Sequence, residues 1–197
     1  MNETLDYYDK NAESFASGTA DIEFSETQDR FLAELKEGAS ILDFGCGSGR
    51  DTRYFLQKGY RVTAMDGSAE LCRIAEEKTG IPVKQIDFND FEEQDRYDGI
   101  WACSSILHLP KLKLKSVLIH MKKALHKEGS IYTSFKYGDF AGMRNGRYFT
   151  DFTENTFRAF VAEIEQLTIE QLWITGDVRP GRQDEKWLNT FLRPTQR

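Results

Sequence analysis

One stretch constrains this chain more than any other: Ser40-Ile41-Leu42-Asp43-Phe44 reads as a short strand and runs straight into Gly45-Cys46-Gly47-Ser48-Gly49. The residues that follow carry Tyr54, Phe55 and Leu56 at helix-compatible positions, so the stretch opens a strand–turn–helix unit. Such a unit puts bare backbone at the carboxyl edge of a sheet, where open α/β sheets bind their ligands. Glycines there permit φ > 0 and let a ligand approach without meeting a Cβ. The free N–H groups at the start of the next helix favour a negative group, here a carboxylate.

The rest of the chain repeats the alternation of strand and helix, which predicts a parallel sheet covered by helices on both faces. Tyr60 to Met65 is a second strand, and Ser68 caps a helix that buries Leu71, Ile74 and Ala75 and ends at Gly80. Strands are predicted at Pro82 to Ile86, Tyr97 to Cys103 and Ser130 to Phe135. Between the last two, Leu114, Val117, Leu118, Met121 and Leu125 recur at helical spacing, with His126 expected in that helix's last turn. Tyr137 to Asp151 is polar, contains glycine and is long for a connection, so a functional loop is expected there. Thr153 caps a helix bearing Phe157, Phe160, Val161 and Ile164, and strands near Leu167 to Thr175 and Lys186 to Leu192 complete the count of seven. Ahead of the first strand, Leu5 and Tyr8 share a face of a short helix, and Phe31, Leu32 and Leu35 a face of the next. The division expected is one domain over 1–197, a helical cover in 1–38 and the sheet in 39–197.

Composition excludes several classes of function. The chain of 197 residues has a net charge of −6, which opposes the field of a nucleic-acid backbone. Its one basic run, Lys111, Lys113, Lys115, Lys122 and Lys123, alternates with apolar residues as a solvated helix face does. Cys46, Cys72 and Cys103 are odd in number and lie far apart, so neither a disulfide framework nor a zinc site is expected. No apolar run is long enough to cross a membrane. Acidic residues stand in MNETLDYYDK where a targeting peptide would carry positive charge, so a cytoplasmic protein is expected.

Spacing selects the cofactor. A dinucleotide fingerprint is GxGxxG, and its last glycine falls at position 50, which is arginine. The glycines run GxGxG instead, with Asp43 two residues ahead. This pattern resembles motif I of the class I S-adenosylmethionine-dependent methyltransferases, and the resemblance extends from Tyr7 to Leu192. Ser134-Phe135-Lys136, Gly146-Arg147-Tyr148-Phe149-Thr150 and Asp177-Val178-Arg179-Pro180-Gly181-Arg182 look like marks of a bacterial subgroup with some likeness to tellurite-resistance methyltransferases.

The resemblance implies a Rossmann-like α/β fold: seven strands, mostly parallel, with helices on both faces and the last strand antiparallel. It implies S-adenosylmethionine as methyl donor, S-adenosylhomocysteine as product, and no metal. Asp43, Gly45, Cys46, Gly47 and Gly49 form the cofactor turn. Asp66, followed by Gly67 at the second strand's tip, is placed to accept from both ribose hydroxyls. Asp87 accepts from the adenine amino group with Phe88 against the ring, Asp90 being an alternative to Asp87. Ser104 meets the methionine part of the cofactor, and Tyr8 is expected on the cofactor from the N-terminal helix. Asp98 is structural. His108 is either a structural histidine or the catalytic residue that takes a proton from the nucleophile. Lys136, Arg147, Tyr148, Arg179 and Arg182 are expected to form a positive, partly aromatic pocket for a small anion, against the alternative that Arg179 pairs with Asp177 and the others sit in solvent. The activity implied is in-line methyl transfer to a small, on this reading anionic, molecule. The alternatives are an oxyanion-detoxifying methyltransferase of the tellurite or selenite type, a non-enzymatic S-adenosylmethionine-binding module, and, disfavoured by Arg50, an NAD(P)-dependent dehydrogenase.

Overall fold

A computed structural model describes residues 3–195. Its sheet has seven strands in the order β3-β2-β1-β4-β5-β9-β8, with β1 (Ser40–Phe44), β2 (Arg61–Asp66), β3 (Val83–Gln85), β4 (Tyr97–Ala102) and β5 (Leu125–Lys136) parallel. The last strand in the chain, β9 (Lys186–Pro194), enters antiparallel between β5 and β8 (Leu167–Gly176). The order reverses between β1 and β4, so the connections leaving those two strands part and open a crevice at their carboxyl ends.

The apolar strand residues alternate between two cores. Leu42, Ile100, Ile131 and Leu192 face α5 (Lys111–Ala124) and α6 (Glu154–Ala162), joined by Leu114, Leu118, Phe157 and Phe160. Ile41, Trp101, Tyr132 and Phe191 face the other way, onto Phe31 of α2 (Ser25–Leu32) and Phe55 of α3 (Arg50–Gln57). Burial on both faces is why these strands read as nearly continuous apolar runs. Beside α3, α4 (Ala69–Thr79) is capped by Ser68, whose hydroxyl accepts from the N–H of Leu71, and ends at the left-handed Gly80.

Some expectations are corrected. The N-terminal helix α1 (Glu3–Thr19) is 17 residues long rather than short, and it packs on α4 through Ala12, Ala16, Leu71 and Ile74. Leu35 and Ile164 lie just beyond their helices, though both pack into the cores. His126 is not in a last helical turn. Leu125 is already extended, and His126 is tied to β4 by Asp98 Oδ1 at 2.9 Å and the carbonyl of Asp95 at 3.1 Å. Asp98 also accepts from the N–H and hydroxyl of Ser40, a structural role. The stretch from Tyr137 to Asp151 is no open loop: β6 (Ala141–Arg144) and β7 (Arg147–Thr150) pair antiparallel around Asn145-Gly146, both at positive φ. Asn-Gly is the two-residue sequence that such a turn demands. Lys111, Lys113 and Lys123 lie on the exposed face of α5, and the three cysteines are free. Among the described residues no helix is long and apolar enough to cross a membrane.

Candidate active site

The crevice at the carboxyl ends of β1, β2 and β4 is a cleft of about 230 Å³, roofed by α1, the β6–β7 hairpin and the β8–β9 connection. Its floor is the glycine turn. Gly45 and Gly47 have φ of 84° and 56°, and both line the cleft with Cys46 between them. A Cβ at Gly45 would lie 2.4 Å from Ser105 Cβ and 2.9 Å from the Phe88 ring; one at Gly47 would lie 3.1 Å from Phe15. The chain's own Ser105, Phe88 and Phe15 thus leave no room for a side chain at either glycine, and the turn's backbone is what meets the cleft.

Asp66 ends β2 beside that turn. Its Oδ2 accepts from the N–H of Gly47 and its Oδ1 from that of Ser68, each at 2.9 Å. Burial pushes its pKa up, and those N–H groups with that of Gly67 push it back. Gly67 lies directly under Leu5 of α1, where a Cβ would come 2.7 Å from the leucine's Cδ2. After β3, Asp87 and Phe88 both line the cleft, while Asp90 is exposed and does not. Asp87 accepts from the N–H of Asn89, and Phe88 stacks on Phe44 with ring centroids 4.7 Å apart. Ser104, after β4, is held at φ 53°, rare for a residue with a Cβ, while its N–H donates to Ser134 Oγ at 2.9 Å. Gly45, Gly47, Gly67, Asp66 and Asp87 thus line one cleft with Phe88 and Ser104, and the residues present fit an S-adenosyl group.

Not every expected residue faces the cleft. Asp43 is buried behind the turn, where it accepts from Thr52 Oγ1 at 2.5 Å; burial and then the charge of Asp51 raise its pKa to about 8. Gly49 starts α3 at φ 83°, and a Cβ there would strike Thr79 at 2.8 Å, so this glycine lets α3 and α4 close together. Tyr148 is absent from the cleft wall, and Phe149, the alternate residue of β7, takes its place. Asp51 went unnoticed in the sequence, yet it is a hub: it accepts from Arg50, from Gln28 at 2.7 Å and from Trp101 Nε1 at 2.8 Å.

At the hairpin side His108, Tyr8 and Arg147 meet. His108 Nδ1 lies 2.6 Å from the carbonyl oxygen of Tyr148, and Nε2 lies 2.8 Å from Tyr8 Oη. Burial brings the His108 pKa down to about 4, a shift that the carbonyl bond opposes and the Arg147 charge reinforces. Arg147 lies over the Tyr7 ring at 4.5 Å and reaches Tyr8 Oη at 3.4 Å.

The expected cationic pocket forms only in part. Lys136, Arg147, Arg179 and Arg182 all line the cleft. Three of them face carboxylates: Arg179 donates to Asp177 Oδ1 at 2.8 Å, Lys136 bonds Glu185 and lies 3.5 Å from Asp177, and Arg182 lies 3.9 Å from Glu185. Asp177 also accepts from Trp187 Nε1 at 3.0 Å. Burial works against its ionisation, but the bonds from Arg179 and Trp187 prevail and hold the carboxyl well below its usual range. Arg147 differs. It meets no carboxylate at ion-pair distance among the described residues, and its buried Nε has no hydrogen-bond partner there.

A sheet in this order, with a glycine turn after β1 and an acid ending β2, defines the Rossmann-like methyltransferase fold. The methyltransferase domain pattern matches residues 41–129, and over that stretch the chain is similar to class I S-adenosylmethionine-dependent methyltransferases. It is 31% identical over 108 residues to (S)-coclaurine N-methyltransferase of Thalictrum flavum subsp. glaucum, covering 51% of this chain and 29% of that one. It is 28% identical over 96 residues to the probable S-adenosyl-L-methionine-dependent methyltransferase TehB of Haemophilus influenzae, covering 46% and 34%. The chain thus spans about a third of the length of these relatives. Its fold is also that of 1,6-didemethyltoxoflavin-N1-methyltransferase of Burkholderia thailandensis, solved with its acceptor and S-adenosylhomocysteine, at TM-score 0.77, 22% identity and coverage of 98% of this chain and 85% of that one.

Proposed function

We propose that this protein transfers the methyl group of S-adenosylmethionine to a small molecule that carries an anionic group. The observation that carries the reading is the bare backbone of Gly45 and Gly47 beside the Asp66 carboxylate, in one cleft with an unmatched guanidinium, Arg147. Asp66 would hold the ribose hydroxyls, Phe88 and Asp87 the adenine, and the Gly45–Gly47 turn with Ser104 the methionine part. When bound, the cofactor supplies a methyl group on an already cationic sulfur. What remains for the protein is to hold donor and acceptor in line and exclude water, which can supply about 7–11 kcal/mol of the barrier. Leu5, Phe15 and Phe149 serve that exclusion, and Arg147 anchors the anion. Lys136, Arg179 and Arg182, already paired, form a wall of fixed shape rather than the anchor.

That a similar fold holds S-adenosylhomocysteine together with a small acceptor supports the reading. The resemblance of the segments at 134–136, 146–150 and 177–182 to tellurite-resistance methyltransferases supports a second one, methylation of an inorganic oxyanion. Thermal shift with S-adenosylhomocysteine, NAD and NADP tests the cofactor; only the first is expected to stabilise the protein. A screen of small acids, neutral metabolites, selenite and tellurite for stimulated S-adenosylhomocysteine release then tests the acceptor. Release with organic acids supports the first reading, release with selenite or tellurite alone the second, and release with neutral or cationic acceptors alone overturns the anionic assignment.

A further inference from the structure

We infer that Tyr8 is a specificity-determining residue whose phenol oxygen receives a hydrogen bond from the methyl acceptor, so that the acceptor is an acid bearing an N–H, O–H or S–H nucleophile. The inference rests on the reading of the cleft just given.

One hydrogen-bonded chain links the Tyr148 carbonyl, His108 and Tyr8. The carbonyl oxygen of Tyr148 can only accept, so the His108 nitrogen 2.6 Å away, Nδ1, carries a hydrogen. A buried imidazole with a guanidinium nearby stays neutral, so its other nitrogen, Nε2, carries a lone pair. The only hydrogen between Nε2 and Tyr8 Oη, 2.8 Å apart, is then the phenol's, and Tyr8 donates it. With that hydrogen committed, the Tyr8 oxygen is an acceptor to anything else that meets it. Arg147 already donates to it from 3.4 Å.

Tyr8, His108 and Arg147 all line the cleft. The wall therefore presents two polar features of opposite sense side by side: an accepting oxygen on Tyr8 and a donating guanidinium with an unsatisfied buried Nε on Arg147. A molecule complementary to both has an anionic group for Arg147 and a hydrogen-bearing atom for Tyr8. A fully ionised inorganic oxyanion offers lone pairs to both and leaves the Tyr8 oxygen facing another lone pair. His108 is here a positioning residue: its tautomer, set by the Tyr148 carbonyl, sets the direction of the Tyr8 hydrogen. In the transfer the acceptor's lone pair forms the new bond to carbon, the carbon–sulfur pair returns to sulfur, and the hydrogen on the acceptor atom then leaves as a proton to water.

The chain of polarity is tested in the protein saturated with S-adenosylhomocysteine. Nitrogen-15 NMR of His108 is expected to show the Nδ1–H tautomer, and Tyr8→Phe to weaken that preference. Isothermal calorimetry at neutral pH then compares 2-aminobenzoate with its N,N-dimethyl form and with sulfate, an oxyanion fully ionised there. Wild type is expected to bind the protic acid at least tenfold more tightly than either. Tyr8→Phe, likewise saturated with S-adenosylhomocysteine, should bring the ratio of the two benzoates below threefold. An Nε2–H tautomer overturns the inference, because Tyr8 would then be free to donate into the cleft. So does a preference for the protic acid that Tyr8→Phe leaves intact. If the acceptor screen instead yields only neutral acceptors, the anionic reading fails by itself, and the tautomer still decides the role of Tyr8.

Discussion

Oδ2 of Asp66, at the end of β2, accepts a 2.9 Å hydrogen bond from the N–H of Gly47, in the turn after β1. One carboxylate thus closes the glycine turn and lines the cleft beside it. Asp66→Ala leaves the N–H groups of Gly47 and Ser68 without this acceptor, at about 1–3 kcal/mol each when buried. We expect a lower melting temperature in a protein that still folds, and at least a tenfold weaker affinity for S-adenosylhomocysteine by calorimetry. Unchanged affinity would remove Asp66 from the cofactor site.

Gly47→Val acts on the same turn by a different route. The position has φ 56°, which a β-branched residue scarcely tolerates, and a Cβ there would lie 3.1 Å from Phe15. The variant is expected to show no stabilisation by S-adenosylhomocysteine in a thermal shift assay that detects wild-type binding.

Arg147 and Arg182 are expected to separate. Arg147→Met removes the one cleft cation that has no carboxylate beside it among the described residues, and should raise KM for an anionic acceptor at least tenfold with cofactor affinity unchanged. Arg182→Met removes a half-exposed cation 3.9 Å from Glu185 and should change KM less than threefold. Steady-state kinetics on both variants, with any acid found by screening, decides between an anchor at Arg147 and a diffuse positive field.

His108 has a pKa of about 4, so it is neutral throughout the working range. The pH profile of kcat should therefore carry no histidine inflection between pH 6 and 9. Its contribution to stability has the sign of a depressed histidine: present above the unfolded pKa of about 6.5 and lost as pH falls toward 4. His108→Ala should lower kcat more than cofactor affinity, and should flatten the loss of melting temperature between pH 6.5 and 4.5.

Asp43 has the opposite dependence. Its pKa is raised to about 8, so its contribution to stability is fully present below the unfolded value of about 4 and is lost as pH rises through 8. Melting temperature should fall between pH 6 and 9 more in the wild type than in Asp43→Asn, which cannot ionise. Equal slopes in the two proteins would mean that Asp43 is ionised in the folded state across this range.

Much was legible in the sequence because it is local. The strand–glycine–helix unit at Ser40 to Gln57, the Ser68 cap and the Gly80 stop each depend on residues within a few positions, and so do the alternating strand faces. The Asn145-Gly146 turn is legible by the same rule, which makes 137–151 a hairpin where its length and polarity alone suggest a loop. His126 departs from the helical expectation because its partners, Asp98 on β4 and Asp95 just ahead of that strand, are remote in sequence.

The amino-acid order by itself determined the α/β alternation, the family's glycine turn with its acid after β2, and the set of cations gathered at one sheet edge. Only the tertiary structure decided what each does there. Asp43 and Gly49 lie off the cleft although they share a motif with Gly45 and Gly47, because Asp43 is bound by Thr52 of α3 behind the turn and Gly49 is packed against Thr79 and Ala75 of α4. Among Lys136, Arg147, Arg179 and Arg182, pairing with Asp177 and Glu185 left Arg147 unmatched. The polarity of Tyr8 depends on His108, 100 residues away, and on a carbonyl a further 40 residues along. Charge compensation and hydrogen-bond direction are properties of groups in contact, and residues so far apart in the chain come into contact only when the sheet, α1 and the β6–β7 hairpin have packed.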